Sequence, residues 1–330
     1  MATTNTTDPT PDRRTEAQPD GSRQHPVGDG ARLALVHVIV NPKSGNATDG
    51  EHIAETLRSQ GAGGVVVVPT TEDDPGAGQT KAAIAAGATL VVVCGGDGTV
   101  RACAGALAGS GTPLAVIPAG TGNLLARNLG ISTDADEAID VAVNGTTKEI
   151  DLGEAGGEVF TVMAGIGFDA MMIRDTNTTW KARVGSLAYV ASALRHLRSR
   201  PTAVQVDITD PPERANLSGP ATMVLAGNLG TLTGGLTAFP DADPADGSLE
   251  IALLNASSLR AWLGVLVTMV SGRATSTKRV HRSRATTMTI RSSRPRPWEL
   301  DGEDRPAVTE LCITVRPKAL VVCVPAGPAS

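Results

Sequence analysis

The segment Leu90-Val91-Val92-Val93-Cys94-Gly95-Gly96-Asp97-Gly98-Thr99-Val100 constrains this chain more than any other. Its first half is short, β-branched and uninterrupted, the pattern of a strand buried on both faces of a parallel sheet. The residues from Val100 to Leu107 are small or apolar and suit a helix. A strand that empties through Gly-Gly-Asp-Gly-Thr into a helix N-terminus leaves main-chain N–H groups and the positive end of the helix dipole facing outward, which makes an anion site. Asp97 would repel phosphate there unless a cation stood between the two, so the combination points to a nucleotide with magnesium. A glycine-rich turn after a strand is also a common structural device in α/β domains, and this segment alone leaves both readings open.

Two other phosphate signatures are missing. There is no Gly-x-x-x-x-Gly-Lys-Ser/Thr, and no Gly-x-Gly-x-x-Gly follows a strand; Gly76-Ala77-Gly78 is a fragment behind the acidic stretch Glu72 to Asp74. Three Trp, three Phe and one Tyr offer few platforms for stacked bases, and a net charge of −5 provides no basic footprint, so nucleic acid is not an expected partner. Cys94, Cys103, Cys312 and Cys323 match no metal-ligand spacing, and three of them lie in apolar segments as small buried thiols. No basic-then-apolar leader opens the sequence, and the longest apolar run, Ala261 to Val270, is about half of a membrane span. A cytoplasmic location is the expectation.

The chain is long enough for two domains. Residues 1–30 are Thr, Pro, Asp, Gly and Arg with little to bury, which predicts a disordered tail. Over 31–150 strands alternate with helices: strands at Leu33–Val40, Val65–Val68, from Leu90, and Leu114–Ile117, with helices at Glu51–Ser59, Gln79–Ala86, Val100–Leu107 and from Leu124. This order predicts an α/β nucleotide domain with a doubly wound parallel sheet and ligands at the carboxyl ends of its strands. Over 151–330 the rhythm becomes β-rich, with strands at Phe160–Met163, Ala203–Ile208, Thr222–Gly227, Leu249–Leu254, Thr286–Arg291, Leu311–Val315 and Ala319–Val324. Helices are expected at Gly185–Leu197 and Leu259–Val270. A two-sheet or barrel-like second domain follows, with a cleft between the domains as the natural substrate site.

Three strand-end segments, Asn41-Pro42-Lys43-Ser44-Gly45, Gly95-Gly96-Asp97-Gly98-Thr99 and Pro118-Ala119-Gly120-Thr121-Gly122-Asn123, resemble the successive nucleotide-site motifs of the diacylglycerol kinase catalytic family, which also includes sphingosine kinases. Gly165-Ile166-Gly167-Phe168-Asp169-Ala170 and Asp301-Gly302-Glu303 resemble its later motifs, and the colinear match runs from about Ala31 to Pro325. The resemblance implies an α/β nucleotide domain followed by a β-sandwich-like domain, related in fold to NAD kinase, with ATP in the cleft. It implies that Gly95, Gly96, Gly98 and Thr99 cradle phosphates and that Asp97 holds Mg2+ against them. By the same resemblance Asn41, Thr70, Gly120, Thr121 and Asn123 belong to the nucleotide site, Asp169 completes a carboxylate–water–magnesium network, and Glu303 is the general base for a lipid hydroxyl. Lys43 is placed to neutralise phosphate charge. Asp301-Gly302 by itself is equally a hairpin turn.

Asp241-Ala242-Asp243-Pro244-Ala245-Asp246-Gly247-Ser248 has the alternating carboxylates that suit a hard cation, or a solvated acidic turn. Relatives imply a structural magnesium there, held by Asp246 with carbonyls of Asp243 and Ser248. Two departures from the family pattern stand out: Arg101 where Asn is usual, and Asn123-Leu124-Leu125 where Asn-Asp-Phe is usual. Arg273 to Arg296 holds Lys278 and seven arginines with no acidic residue, so peripheral contact with anionic lipid is expected, with Trp298 and Trp262 near the interface; a solvated strand is the plainer alternative. The expected reaction is ATP-dependent phosphorylation of a lipid hydroxyl, with diacylglycerol as the default acceptor. Sphingoid or ceramide lipids, NAD, or a non-catalytic ATP- or lipid-binding role are the alternatives, and a homodimer stays open.

Overall fold

The computed structural model of the protein describes residues 25–26, 33–45, 49–167, 201–211, 216–232, 237–258, 260–261, 264–265, 267 and 279–326. Its elements are β1 (His25–Pro26), β2 (Val36–Val40), α1 (Gly50–Ser59), β3 (Val65–Pro69), α2 (Ala77–Ala85), β4 (Leu90–Gly95), α3 (Asp97–Leu107), β5 (Leu114–Pro118), α4 (Leu124–Asn128) and α5 (Ala135–Asn144) in the first half. The second half contains β6 (Thr146–Ala155), β7 (Glu158–Phe160), β8 (Met163–Ile166), β9 (Thr202–Asp210), β10 (Leu217–Ala221), β11 (Met223–Gly227), β12 (Leu249–Leu254), β13 (Val280–Ala285), β14 (Thr287–Leu300) and β15 (Glu303–Val324).

Strands β3, β2, β4 and β5 form a parallel sheet in that order. Every residue of β2, β4 and β5 is buried, as continuous Val/Ile/Leu runs require when helices cover both faces. Helix α1 presents Ile53, Ala54 and Leu57 to that sheet and starts at Asp49, whose side chain accepts the Glu51 N–H. Because β2, β3, β4 and β5 run parallel, their carboxyl ends, and the loops at Asn41, Thr70, Gly95 and Pro118, share one edge.

The second domain is a β-sandwich-like unit. Strands β13, β12, β11 and β8 follow one another and meet the C-terminal part of β14. The N-terminal part of β14 lies between β9 and β15. Alternate residues of β9 (Val204, Val206, Ile208) and β14 (Met288, Ile290) face a core shared with Val224, Ile251 and Leu311. Strand β15 joins the two domains: it pairs with β6 on both sides of a register break, and at Val322 it lies parallel to β5 at Leu114.

Several expectations change. Leu311–Val315 and Ala319–Val324 are parts of one strand, broken by an irregularity between Arg316 and Leu320 where Lys318 has φ 48°. Strand β14 continues to Leu300 through Pro295 and Pro297, which fall at register shifts that need no ladder N–H. The strand expected at Phe160–Met163 is interrupted at Thr161 and Val162, between β7 and β8, because their main-chain N–H groups serve Asp301 rather than a ladder. Trp298, expected at a membrane interface, is 6% exposed and packs in the second core. Elements α5, β6, β10 and β13 were not anticipated. Residues 260–261, 264–265 and 267 of the helix expected at Leu259–Val270 are helical. The helix expected at Gly185–Leu197, Asp169, Trp262, Lys278 and the tail apart from β1 lie outside the described residues. β1 pairs with Thr146 and Thr147 of β6. Among the described residues no helix is long and apolar enough to cross a membrane.

Candidate active site

The two glycine turns meet face to face. A Cβ built on Gly96 would lie 3.3 Å from the Gly120 Cα, so the β4–α3 and β5–α4 turns touch through backbone alone. Asp97 opens α3 and reaches across to the second turn: its Oδ2 accepts the Asn123 N–H at 3.0 Å and its Oδ1 the Leu124 N–H at 2.6 Å. It therefore caps α4 from another loop. Gly122 faces the same carboxylate, and any Cβ there would overlap it. The second turn is closed by Asn123, which sits in the left-handed region at φ 48° and exchanges side-chain hydrogen bonds of 2.9 Å with the N–H and C=O of Gly120. Burial raises the proton affinity of Asp97, and the nearby charge of Asp301 raises it further against the two amide contacts.

The first loop joins through Asn41. Its N–H donates to the Cys94 carbonyl at 2.9 Å, and its Nδ2 donates to Thr99 Oγ1 at 3.0 Å. Gly95 leaves room for that threonine, since a Cβ would fall 2.9 Å from Thr99 Cβ. Thr70 is buried at the end of β3 and donates its N–H to Val40 at 2.8 Å. Lys43 lies exposed and pairs with Glu72. Thr121 is exposed on its turn.

The Asp301-Gly302-Glu303 turn between β14 and β15 arrives from the second domain. Asp301 is buried, with φ 46°, and its carboxylate accepts from the Thr161 N–H and hydroxyl and from the Val162 and Met163 N–H groups at 2.8–2.9 Å. The turn is thus nailed to the β7–β8 junction. Beneath it Glu299 is fully buried, accepts the Gly302 N–H at 2.7 Å through Oε2, and leaves Oε1 without a partner. Burial, with Asp301 and Asp304 nearby, pushes its carboxyl up to about 8. Glu303 comes to rest on the first turn of α3: a Cβ on Gly98 would overlap its Oε1. Its Oε2 is held by the Arg101 guanidinium.

Asn41, Thr99, Asp97, Gly120, Asn123 and Glu303 are therefore brought together. Asp243, Asp246 and Ser248 form a separate turn. There Asp246 Oδ1 accepts the Ser248 N–H and hydroxyl, its Oδ2 pairs with Arg284 at 3.2 Å, and Asp243 caps the Ala245 N–H. Arg284 also binds Glu250 and the Asp241 carbonyl. The turn is docked by Asp151, a fully buried carboxylate that accepts the N–H groups of Gly247 and Lys318 at 2.7 Å. Among the described residues no group of three or more His, Cys, Asp or Glu side chains converges on a metal position. The arginines expected at a lipid surface have internal partners: Arg282 donates to the Ala238 carbonyl, Arg291 pairs with Asp207 and Glu310, and Arg296 donates to the carbonyls of Ala221 and Thr222.

Sequence reasoning passed over Glu299, Glu158 and Arg305, gave Asp301 no role beyond its motif, and noted Arg101 only as a departure. Asp301 was visible in its motif but indistinguishable from a turn residue. Glu158 and Arg305 carry no local signal, because their meeting depends on the β7 and β15 registers.

Residues 35–155 match the diacylglycerol kinase catalytic domain, and residues 161–324 match the YegS C-terminal NAD kinase beta sandwich-like domain. A protein named diacylglycerol kinase from Mycobacterium tuberculosis is 31% identical over 280 residues, covering 81% of this chain and 86% of the relative. A probable lipid kinase YegS-like from Pseudomonas fluorescens is 33% identical over 245 residues, 74% of this chain and 80% of that protein. The crystal structure of a putative diacylglycerol kinase from Bacillus anthracis superposes with a TM-score of 0.71 at 22% identity, covering 88% of this chain and 96% of that one.

Proposed function

Because this chain belongs to the diacylglycerol kinase family, kinases that phosphorylate an alcohol acceptor, we propose that it transfers the γ-phosphate of ATP to the hydroxyl of diacylglycerol, giving phosphatidic acid. The observation that carries the reading is Glu303: a carboxylate from the second domain lies on the first turn of α3, where the two glycine turns meet.

Phosphoryl transfer needs a positioned nucleotide, neutralised phosphate oxygens and a base for the incoming hydroxyl. The first N–H groups of α3 have no intrahelical partner, since the ladder begins with Val100 N–H to Gly96 C=O, and they offer donors to phosphate oxygens. Asn41 and Thr99 hold the β2 loop against that turn. Glu303 takes the proton of the lipid hydroxyl; the lipid oxygen bonds to the γ-phosphorus, the bond to the bridging oxygen breaks, and ADP leaves with that electron pair. Each oxygen of Asp97 accepts one N–H and keeps a lone pair, and the charge of Asp301 lies nearby, so Asp97 is the residue that would hold a hard cation here. Mg2+ bound there supplies charge neutralisation of the phosphates. In the Asp243–Ser248 turn Ser248 and Arg284 engage both Asp246 oxygens.

A lipid acceptor requires peripheral contact with a membrane surface. The test of the whole reading is transfer of labelled γ-phosphate from ATP to diacylglycerol, a sphingoid base, ceramide and NAD in parallel mixed-micelle reactions, with Glu303→Gln alongside. Labelled phosphatidic acid that vanishes in the variant is the expected result. Label in another acceptor, or undiminished turnover by Glu303→Gln, overturns the acceptor or the base respectively.

A further inference from the structure

We infer that Arg101 is a positioning residue for the acceptor-activating carboxylate; this rests on the reading of Glu303 as that group. Glu303 by itself is poorly suited to hold one place. Its side chain is 45% exposed at the first residue of β15, and ordering such a chain costs rotamer entropy. Arg101 is the opposite: its side chain is 11% exposed, and it stands one helical turn after Asp97 on α3, so the helix that begins the glycine turn also carries the clamp.

The charges around Arg101 show which partner it serves. Glu158 on β7 is taken by Arg305 through both oxygens, Nε to Oε1 at 2.7 Å and Nη2 to Oε2 at 2.6 Å, the bidentate pairing that matches a guanidinium to a carboxylate. Glu158 keeps a longer contact of 3.4 Å to Arg101; the Arg305 Nη1 donates to the Asp304 carbonyl at 3.0 Å and stands 3.5 Å from Glu303. The Arg101 Nη2 donates to the Glu303 carboxylate. Two guanidinium groups and two carboxylates thus sort into two pairs, and the one that bridges the domains is Arg101–Glu303. The Arg101 Nε is buried without a partner, so the guanidinium is not saturated by its present contacts. A planar fork fixed at its base sets carboxylate direction as well as distance, which a lysine would do less well.

A pair at a surface can also be only a weak structural contact. The experiment separates the two using full-length protein, ATP and diacylglycerol micelles, with Arg101→Met, Arg101→Lys, Glu303→Asp and the double variant Arg101→Met/Glu303→Asp. Loss of positioning is expected to lower kcat by about 10- to 100-fold with KM for ATP unchanged, with partial recovery in Arg101→Lys. The double variant is expected to be no slower than Glu303→Asp, since a residue acting through another adds nothing once that one is misplaced. Retained kcat in Arg101→Met, a rise in KM for ATP alone, or losses that multiply in the double variant would each overturn the inference. Should Arg101→Met not fold, Arg101→Lys against Arg101→Gln makes the same comparison. Full activity of Glu303→Gln is a different failure, that of the base itself.

Discussion

Gly96 and Gly120 meet backbone to backbone, and a Cβ on Gly120 would stand 2.6 Å from the Gly96 Cα. The contact is between rigid main-chain atoms, so neither side can move aside as a side chain does. Glycine in these turns serves the packing of one motif on another as much as the approach of a ligand.

Gly120→Ala is therefore expected to push the two turns apart and to lower stability by about 1–3 kcal/mol, the usual cost of overpacking. Gly96→Ala, whose Cβ would stand 3.3 Å from the Gly120 Cα, a tight contact and not an overlap, is expected to cost less. Urea unfolding of both variants, with ATP affinity measured in parallel, checks the ranking. Equal stabilities would show that the turns are not in rigid contact.

At Gly98 stability and activity are expected to part. The atom a new Cβ would meet is the far end of the Glu303 side chain, which can swing away. Alanine within a helix is favoured over glycine by roughly 0.8–1.0 kcal/mol. Gly98→Ala is expected to keep or slightly raise the melting temperature while kcat falls. If KM for ATP rose and kcat held, the glycine would be serving phosphate approach instead.

Asp301→Ala leaves three main-chain N–H groups and one hydroxyl at the β7–β8 junction without their acceptor. Each buried donor so stranded costs about 1–3 kcal/mol, so a loss of at least 3 kcal/mol is expected, read by chemical denaturation. Asp301→Asn keeps the left-handed conformation that Asn tolerates but turns an NH2 toward these donors, and is expected to be nearly as damaging.

Glu299 gives a pH dependence with a definite sign. Its carboxyl, at 4.5 when solvated, is pushed up to about 8 by burial, so the folded chain holds a proton that the unfolded chain releases. Its contribution to stability is present in full below pH 4.5 and is lost as pH rises through 8. Glu299→Gln mimics the protonated acid and still accepts the Gly302 N–H. The melting temperature of the variant is expected to fall less between pH 6 and 9 than that of the parent, and identical profiles would remove Glu299 as the source.

The first domain was legible because its signals are local. Uninterrupted runs such as Leu90–Gly95 are strands wherever both faces are covered, and the observed ends differ from the expected ones by few residues. The motifs could be named, and their order along the chain was enough to associate them. Less legible were elements whose boundaries depend on distant partners. The break at Thr161 and Val162 exists because Asp301, about 140 residues later, takes their N–H groups. The arginines of β13 and β14 look like a basic run in sequence, yet the register of β12 with β13 sets Glu250 opposite Arg284, and that of β14 with β15 sets Glu310 opposite Arg291.

What the sequence determined by itself was the class of fold, the α/β order of the first domain and the places of the two glycine turns, since periodicity and glycine placement act over a few residues. What only the tertiary structure decided was which groups face one another: Asp97 with the amides of Asn123 and Leu124, Gly98 with Glu303, Arg101 with Glu303 rather than Glu158. The first of these needs β4 and β5 side by side, and the two with Glu303 need the two domains to close through β15. Their energies depend on burial and angle at ångström range, quantities that spacing along a chain does not carry.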